Sequence, residues 1–110
     1  MITPEGKIAQ HLIVRCKQYG FQQRKLAYEG RRGAPDRLVL GHRCFALIEL
    51  KAPGQKPRRE QLREIEILKA GGVPVFVCDS KASIDEVLDD LRERSDGNRF
   101  FEEDGTLWQN

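Results

Sequence analysis

Long apolar runs are missing from this chain. No stretch approaches 18 apolar residues, so no transmembrane helix is expected. The opening residues MITPEGKIAQ lack the basic-then-apolar pattern of a secretory signal, and a cytoplasmic protein is the expectation. Cysteine is scarce: Cys16, Cys44 and Cys78 are odd in number, widely spaced and without a CxxC pair. That argues against a disulfide framework or a zinc site and predicts reduced thiols in the core. The two histidines, His11 and His42, have no ligand spacing to each other. Aromatic residues make up only 7% of 110 residues, enough for a small single-domain core but not for a separate motor or lid domain. So small a domain buries a modest share of its surface, which leaves room for a partner subunit to add stability. The chain has neither an internal repeat nor a low-complexity segment.

Charge of one sign is missing only on average. The formal net charge is +2, yet residues 1–60 hold 13 Lys/Arg against 5 Asp/Glu, and residues 61–110 hold 6 against 12. A net +8 first half beside a net −6 second half fits a phosphate-facing surface, or simply a mixed solvated one.

The apolar pattern sets the element order. Residues 5–19 carry Ile8, Leu12 and Cys16, with Ile13, at helical spacing, with Thr3 as N-cap, Pro4 at the first helical position, Glu5 in the first turn and Gly20 as the stop. Residues 21–29 read as a short, poorly alternating strand in which Phe21 and Tyr28 serve the core, and residues 30–35 as a basic flexible loop. Leu38 to Leu40 and Phe45 to Leu50 flank Gly41-His42-Arg43, which predicts a hairpin. Residues 56–70 read as a second helix with Leu62, Ile65, Ile67 and Leu68 facing the core, ended by Gly71-Gly72. Residues 73–79 form a buried strand, and Ser83 caps a last helix running through Arg94. The link from strand 45–51 through the second helix to strand 73–78 is long enough for a right-handed parallel crossover. The fold class is therefore α/β, a small mixed sheet flanked by helices. Residues 1–94 form the domain and 95–110 an acidic tail, which Phe100, Phe101, Leu107 and Trp108 offer to dock.

The hairpin carries the chemistry. A turn at His42-Arg43 pairs residues whose numbers sum to about 85, which sets Asp36 opposite Glu49 with Cβ atoms about 5 Å apart. The two-residue strand period puts Lys51 on the same face as Glu49. Glu49 also interrupts an otherwise buried strand, and a buried carboxylate is costly unless paired or bound to metal. Three readings fit: a hard divalent cation held between Asp36 and Glu49, with the Leu50 backbone carbonyl as a further oxygen; a Glu49–Lys51 ion pair at a strand end; or solvent exposure.

The segments GAPDRLVL, FALIELKAPGQKPRREQ and LKAGGVPVFVC resemble the VRR-NUC branch of the PD-(D/E)xK nuclease superfamily, over roughly residues 5–80. Pro35-Asp36 matches the PD element, Glu49-Leu50-Lys51 the ExK element, and Gln61 the glutamine that follows. Glu5 resembles the family's N-terminal helix glutamate and Lys25 a lysine before the glycine-rich loop. The resemblance implies a restriction-endonuclease-like core in αβββαβ-type order. It also implies Mg²⁺ or Mn²⁺ held by Asp36 and Glu49, with Glu5 joining directly or through water. Lys51 and Gln61 then act on the hydrolytic water or a phosphate oxygen. For Glu5 a plain first-turn capping role, and for Gln61 a solvated helix position, are the competing readings.

Arg31, Arg32 and Arg37 flank the acids, and Lys56, Arg58 and Arg59 stand at the start of the second helix, as candidate phosphate contacts or as solubilising charges. Lys7 and Lys17 extend the basic surface or solvate the first helix. The function expected from the resemblance is a metal-dependent endonuclease for branched or structured DNA such as Holliday junctions or flaps. It would act as a homodimer, in the host-cell cytoplasm if phage-encoded. The alternatives are a non-catalytic nucleic-acid-binding module and a structural protein of a phage or mobile element.

Overall fold

A computed structural model describes residues 2–97, and for residues 95–97 only the backbone. The order is α1 (Pro4–Tyr19), β1 (Gln22–Lys25), β2 (Arg37–Gly41), β3 (Cys44–Leu50), α2 (Arg59–Ala70), β4 (Val75–Cys78) and α3 (Lys81–Gly97). The strands form one mixed sheet in sequence order, antiparallel from β1 to β3 and parallel between β3 and β4. Mixed sheet, helices on both faces and element order are those of a restriction-endonuclease-like α/β core, as expected.

Helix α1 starts where Thr3 Oγ1 accepts the Gly6 amide at 3.0 Å, and it ends at Gly20, whose left-handed φ of 81° frees its amide for the last carbonyls. Ile8, Leu12 and Cys16 are its buried stripe, as predicted. They join Val39, Ala46, Ile48 and Leu50 of the sheet and Ile84, Val87, Leu88 and Leu91 of α3 in the main core. Helices α1 and α3 thus cover one face of the sheet. They are tied at the surface through Asp85, whose Oδ1 lies 2.9 Å from both His11 Nε2 and Arg15 Nε, and through Tyr19, which donates to Asp89 at 2.8 Å. His11 is therefore a helix–helix tie.

The hairpin has the predicted register, Gly41 opposite Cys44 and Arg37 opposite Ile48. Its two turn residues, His42 and Arg43, both hold positive φ, 52° and 69°, the geometry that matches the twist of paired strands. The His42 ring stands edge-on to Phe21 at 5.4 Å, which offsets the strain of a side chain in that region.

Several expectations need correction. Strand β1 stops at Lys25, and residues 26–36 are irregular, anchored by side chains; Tyr28 is only partly buried and its hydroxyl is hydrogen-bonded. Helix α2 begins at Arg59, since Pro57 disfavours helical backbone at the residue before it. Its inward stripe is Gln61, Glu64, Ile65 and Leu68, while Leu62 and Ile67 are 48% and 50% exposed. Ile65 and Leu68 pack on Leu47, Val75 and Leu38 in a smaller core on the second sheet face. Helix α3 is capped one turn earlier than expected: Ser80 Oγ accepts the Ser83 amide at 3.0 Å and Ser83 Oγ accepts the Ser80 amide at 3.1 Å. It runs on past Arg94 to Gly97, and the proposed docking of Phe100, Phe101, Leu107 and Trp108 lies outside the described residues.

Candidate active site

The second sheet face changes character along β3. Leu47 sits under α2, while two residues on, past the apolar patch, Glu49 takes the same side and is 1% exposed. Its Oε2 accepts a hydrogen bond from Gln61 Nε2 at 2.7 Å and lies 3.2 Å from Lys51 Nζ. Its Oε1 is buried with no hydrogen-bond partner among the described residues. Burial pushes the Glu49 carboxyl above its ordinary range, the nearby Asp36 charge adds to the shift, and Lys51 opposes it.

Asp36 follows the fully buried Pro35 and precedes β2. Its own carbonyl accepts the Leu26 amide at 2.9 Å, which continues the β1–β2 pairing by one step. Its Oδ2 accepts the Leu50 amide at 2.8 Å, so the PD carboxylate is latched to the main chain between Glu49 and Lys51. The Leu50 backbone thereby stands at the site. Glu5 is exposed in the first turn of α1, and its charge is the smallest of those that push the Glu49 carboxyl up.

Gln61 enters from α2. Its Oε1 accepts the Arg58 amide at 2.8 Å, one of the free donors at a helix start, which turns its NH₂ toward Glu49. The structure thus brings together Asp36, Glu49, Lys51 and Gln61, with Glu5 nearby. Among the described residues no three His, Cys, Asp or Glu side chains form a ready-made metal cluster. The fit is to an ion that keeps several waters: a partnerless buried carboxylate oxygen, a second carboxylate beside it, and main chain within reach.

The basic residues are placed unevenly. Arg58, Arg59 and Arg63, with Glu60, line a surface hollow at the start of α2. Arg32 and Lys56 are exposed. Arg37 Nη1 bonds Gln23 Oε1 at 2.7 Å across β1 and β2. Arg31 is held by Glu64, at 2.7 Å from Nη2, with 55% of its side chain exposed. The sequence reading missed Arg63 and Glu64, whose signal was helical spacing from Arg59 and Gln61.

No protein-family model matches the chain. Among curated proteins, p44 of Acyrthosiphon pisum secondary endosymbiont phage 1, named provisionally as a nuclease, is 44% identical over 78 residues, 70% of this chain and 84% of that protein. A solved structure described as a VRR-NUC domain superposes with a TM-score of 0.73 at 38% identity, covering 79% of this chain and 96% of the other. On the strength of both similarities, and with the PD and ExK elements on adjacent strand ends, the chain belongs to the VRR-NUC family of PD-(D/E)xK nucleases.

Proposed function

We propose that this protein is a divalent-metal-dependent endodeoxyribonuclease, hydrolysing phosphodiester bonds at the site built from Asp36, Glu49, Lys51 and Gln61. The observation that carries this reading is the unpartnered Oε1 of a buried Glu49 set beside Asp36. Two carboxylates in such a place repel, and a shared divalent cation would relieve a conflict that Lys51, paired to Oε2, relieves only in part. Asp36, Glu49 and the Leu50 carbonyl would hold Mg²⁺ or Mn²⁺, with Glu5 joining directly or through water. When bound, the ion would supply a water of lowered pKa and charge stabilisation for the phosphoryl oxygens. Lys51, a donor of up to three hydrogen bonds, would orient the attacking water or steady the negative charge that develops on the phosphate. Gln61 fixes the Glu49 carboxylate and so its unpartnered oxygen.

Arg32, Lys56, Arg58, Arg59 and Arg63 would bind backbone phosphates around the site, with the exposed part of Arg31 and Arg37 beside them. Such contacts position a duplex without reading its bases. A homodimer would set two such sites about a twofold axis and so let a chain this short cut two strands of a junction, whereas a flap needs one site; branched DNA in the cytoplasm is the substrate of this proposal. Calorimetric titration of Mg²⁺ and Mn²⁺ into wild type and Asp36→Asn tests the site. Divalent binding should be lost in the variant while its melting temperature in EDTA is kept, and unchanged binding would remove Asp36 from the site.

A further inference from the structure

Residues 26–36 deliver Asp36 to the site, yet they have no regular structure. Ordering backbone costs about 1–2 kcal/mol per residue, so an irregular segment keeps one conformation only through specific ties. Three side-chain hydrogen bonds from that segment end on one residue. Glu64 is 5% exposed; its Oε2 accepts the Tyr28 hydroxyl at 2.6 Å, and its Oε1 accepts Arg31 Nε at 3.1 Å and Nη2 at 2.7 Å. Between Arg31 and Asp36, Gly33 at φ 93° lies so close to α2 that a Cβ there would stand 2.9 Å from the Glu60 carbonyl oxygen and 3.3 Å from Glu64 Cβ. The segment is therefore clamped against α2 at Tyr28, Arg31 and Gly33. Glu64 also lies one turn after Gln61 on the same inward stripe, and Gln61 holds Glu49. One face of α2 grips both halves of the acid pair: Glu49 directly, and Asp36 through the segment that carries it.

We infer that Glu64 is a positioning residue that sets the separation of Asp36 and Glu49, with Tyr28 and Arg31 as the two ends it clamps. The inference rests on the reading of Asp36 and Glu49 as the metal-holding pair. It does not need Glu64 to touch metal or DNA. The hydrogen bonds from Tyr28 and then Arg31 hold the Glu64 carboxyl below its ordinary range, as expected for an ionised clamp. Arg31 is thereby spent chiefly on folding the segment.

The Leu50 amide reports the position of Asp36, because Asp36 Oδ2 is its acceptor. Hydrogen exchange is measured in EDTA for wild type, Glu64→Ala, Glu64→Gln and Tyr28→Phe, and Mg²⁺ affinity is measured by calorimetry on the same proteins. In Glu64→Ala the Leu50 amide should exchange at least about tenfold faster relative to the interior amides of β3. Mg²⁺ affinity should fall by about 10- to 100-fold, the range for residues that orient metal ligands. Glu64→Gln, which keeps one acceptor oxygen, and Tyr28→Phe, which keeps the Arg31 contact, should fall between; they decide the matter if Glu64→Ala does not fold. Leu50 exchange that rises only in step with the other β3 amides would overturn the clamp. Wild-type protein that binds no Mg²⁺ would instead overturn the metal reading, with the exchange data still deciding the clamp.

Discussion

Gln61 and Glu49, on different elements 12 residues apart, are joined by a 2.7 Å hydrogen bond from Nε2 to Oε2. The bond has a fixed direction because Gln61 Oε1 is already engaged by the Arg58 amide. A helix cap and a buried carboxylate are thus satisfied by one side chain, and the free edge of that carboxylate, Oε1, is the oxygen left over. Local helix chemistry in this way decides which atom of the site is open.

Gln61→Ala removes a cap acceptor and one partner of a buried carboxylate together. A hydrogen bond to a charged group contributes about 1.5–3 kcal/mol, and losing a cap costs about 1 kcal/mol more. Urea denaturation near neutral pH should show a loss of roughly 2–4 kcal/mol on that reckoning. A loss within measurement error would mean that the bond contributes nothing.

Glu49 gives the stability a definite pH slope. Its carboxyl is raised above the ordinary glutamate value of 4.5, by burial first and Asp36 second. Between the unfolded and folded values the native state holds the extra proton, so stability falls as pH rises through that window and levels off above it. Glu49→Gln abolishes the titration. Denaturation in EDTA at a series of pH values should show the variant gaining on wild type from about the ordinary glutamate value upward, toward a plateau. A variant-minus-wild-type stability that stays constant, or that falls as pH rises, would contradict the buried-charge account. Adding Mg²⁺ at high pH should narrow the gap from the wild-type side.

Much of this was legible in the sequence, for reasons particular residues make plain. Leu38 to Leu40 and Phe45 to Leu50 are apolar runs on either side of a short turn, so the pairing of Arg37 with Ile48 through Gly41 with Cys44 followed from counting about that turn. The stripe of Ile8, Leu12 and Cys16 has no polar intruder. Helix α2 was misjudged because two of its four inward positions, Gln61 and Glu64, are polar. Reading hydrophobicity alone turned the helix toward Leu62 and Ile67, which face solvent. The polar pair is inward because each residue is satisfied there, Gln61 by Glu49 and Glu64 by Tyr28 and Arg31, and hydrophobic periodicity carries no such signal. Likewise Ser80 outcompeted Ser83 as the cap through a reciprocal pair of bonds that either serine alone would not predict.

DNA affinity should depend steeply on salt, since the first 60 residues are net +8 and the proposed contacts are to phosphate. Fluorescence anisotropy at several salt concentrations, with EDTA present to stop cutting, gives the slope of log affinity against log salt. Arg58→Ala and Arg63→Ala should each reduce that slope by about one contact. A nearly flat wild-type plot would remove the phosphate-binding surface.

The most direct test is cleavage by Lys51→Ala. Wild type and variant are compared on Holliday junctions, flaps, nicked duplexes and linear duplexes of matched sequence, in Mg²⁺ and in Mn²⁺, with sedimentation recording whether the active species is a dimer. With Asp36, Glu49 and Gln61 intact, the variant should bind metal and DNA as wild type does yet lose most cleavage, about 10²-fold or more. Near-normal cleavage by Lys51→Ala, or no cleavage by wild type on any of these substrates, would contradict the assignment of this site.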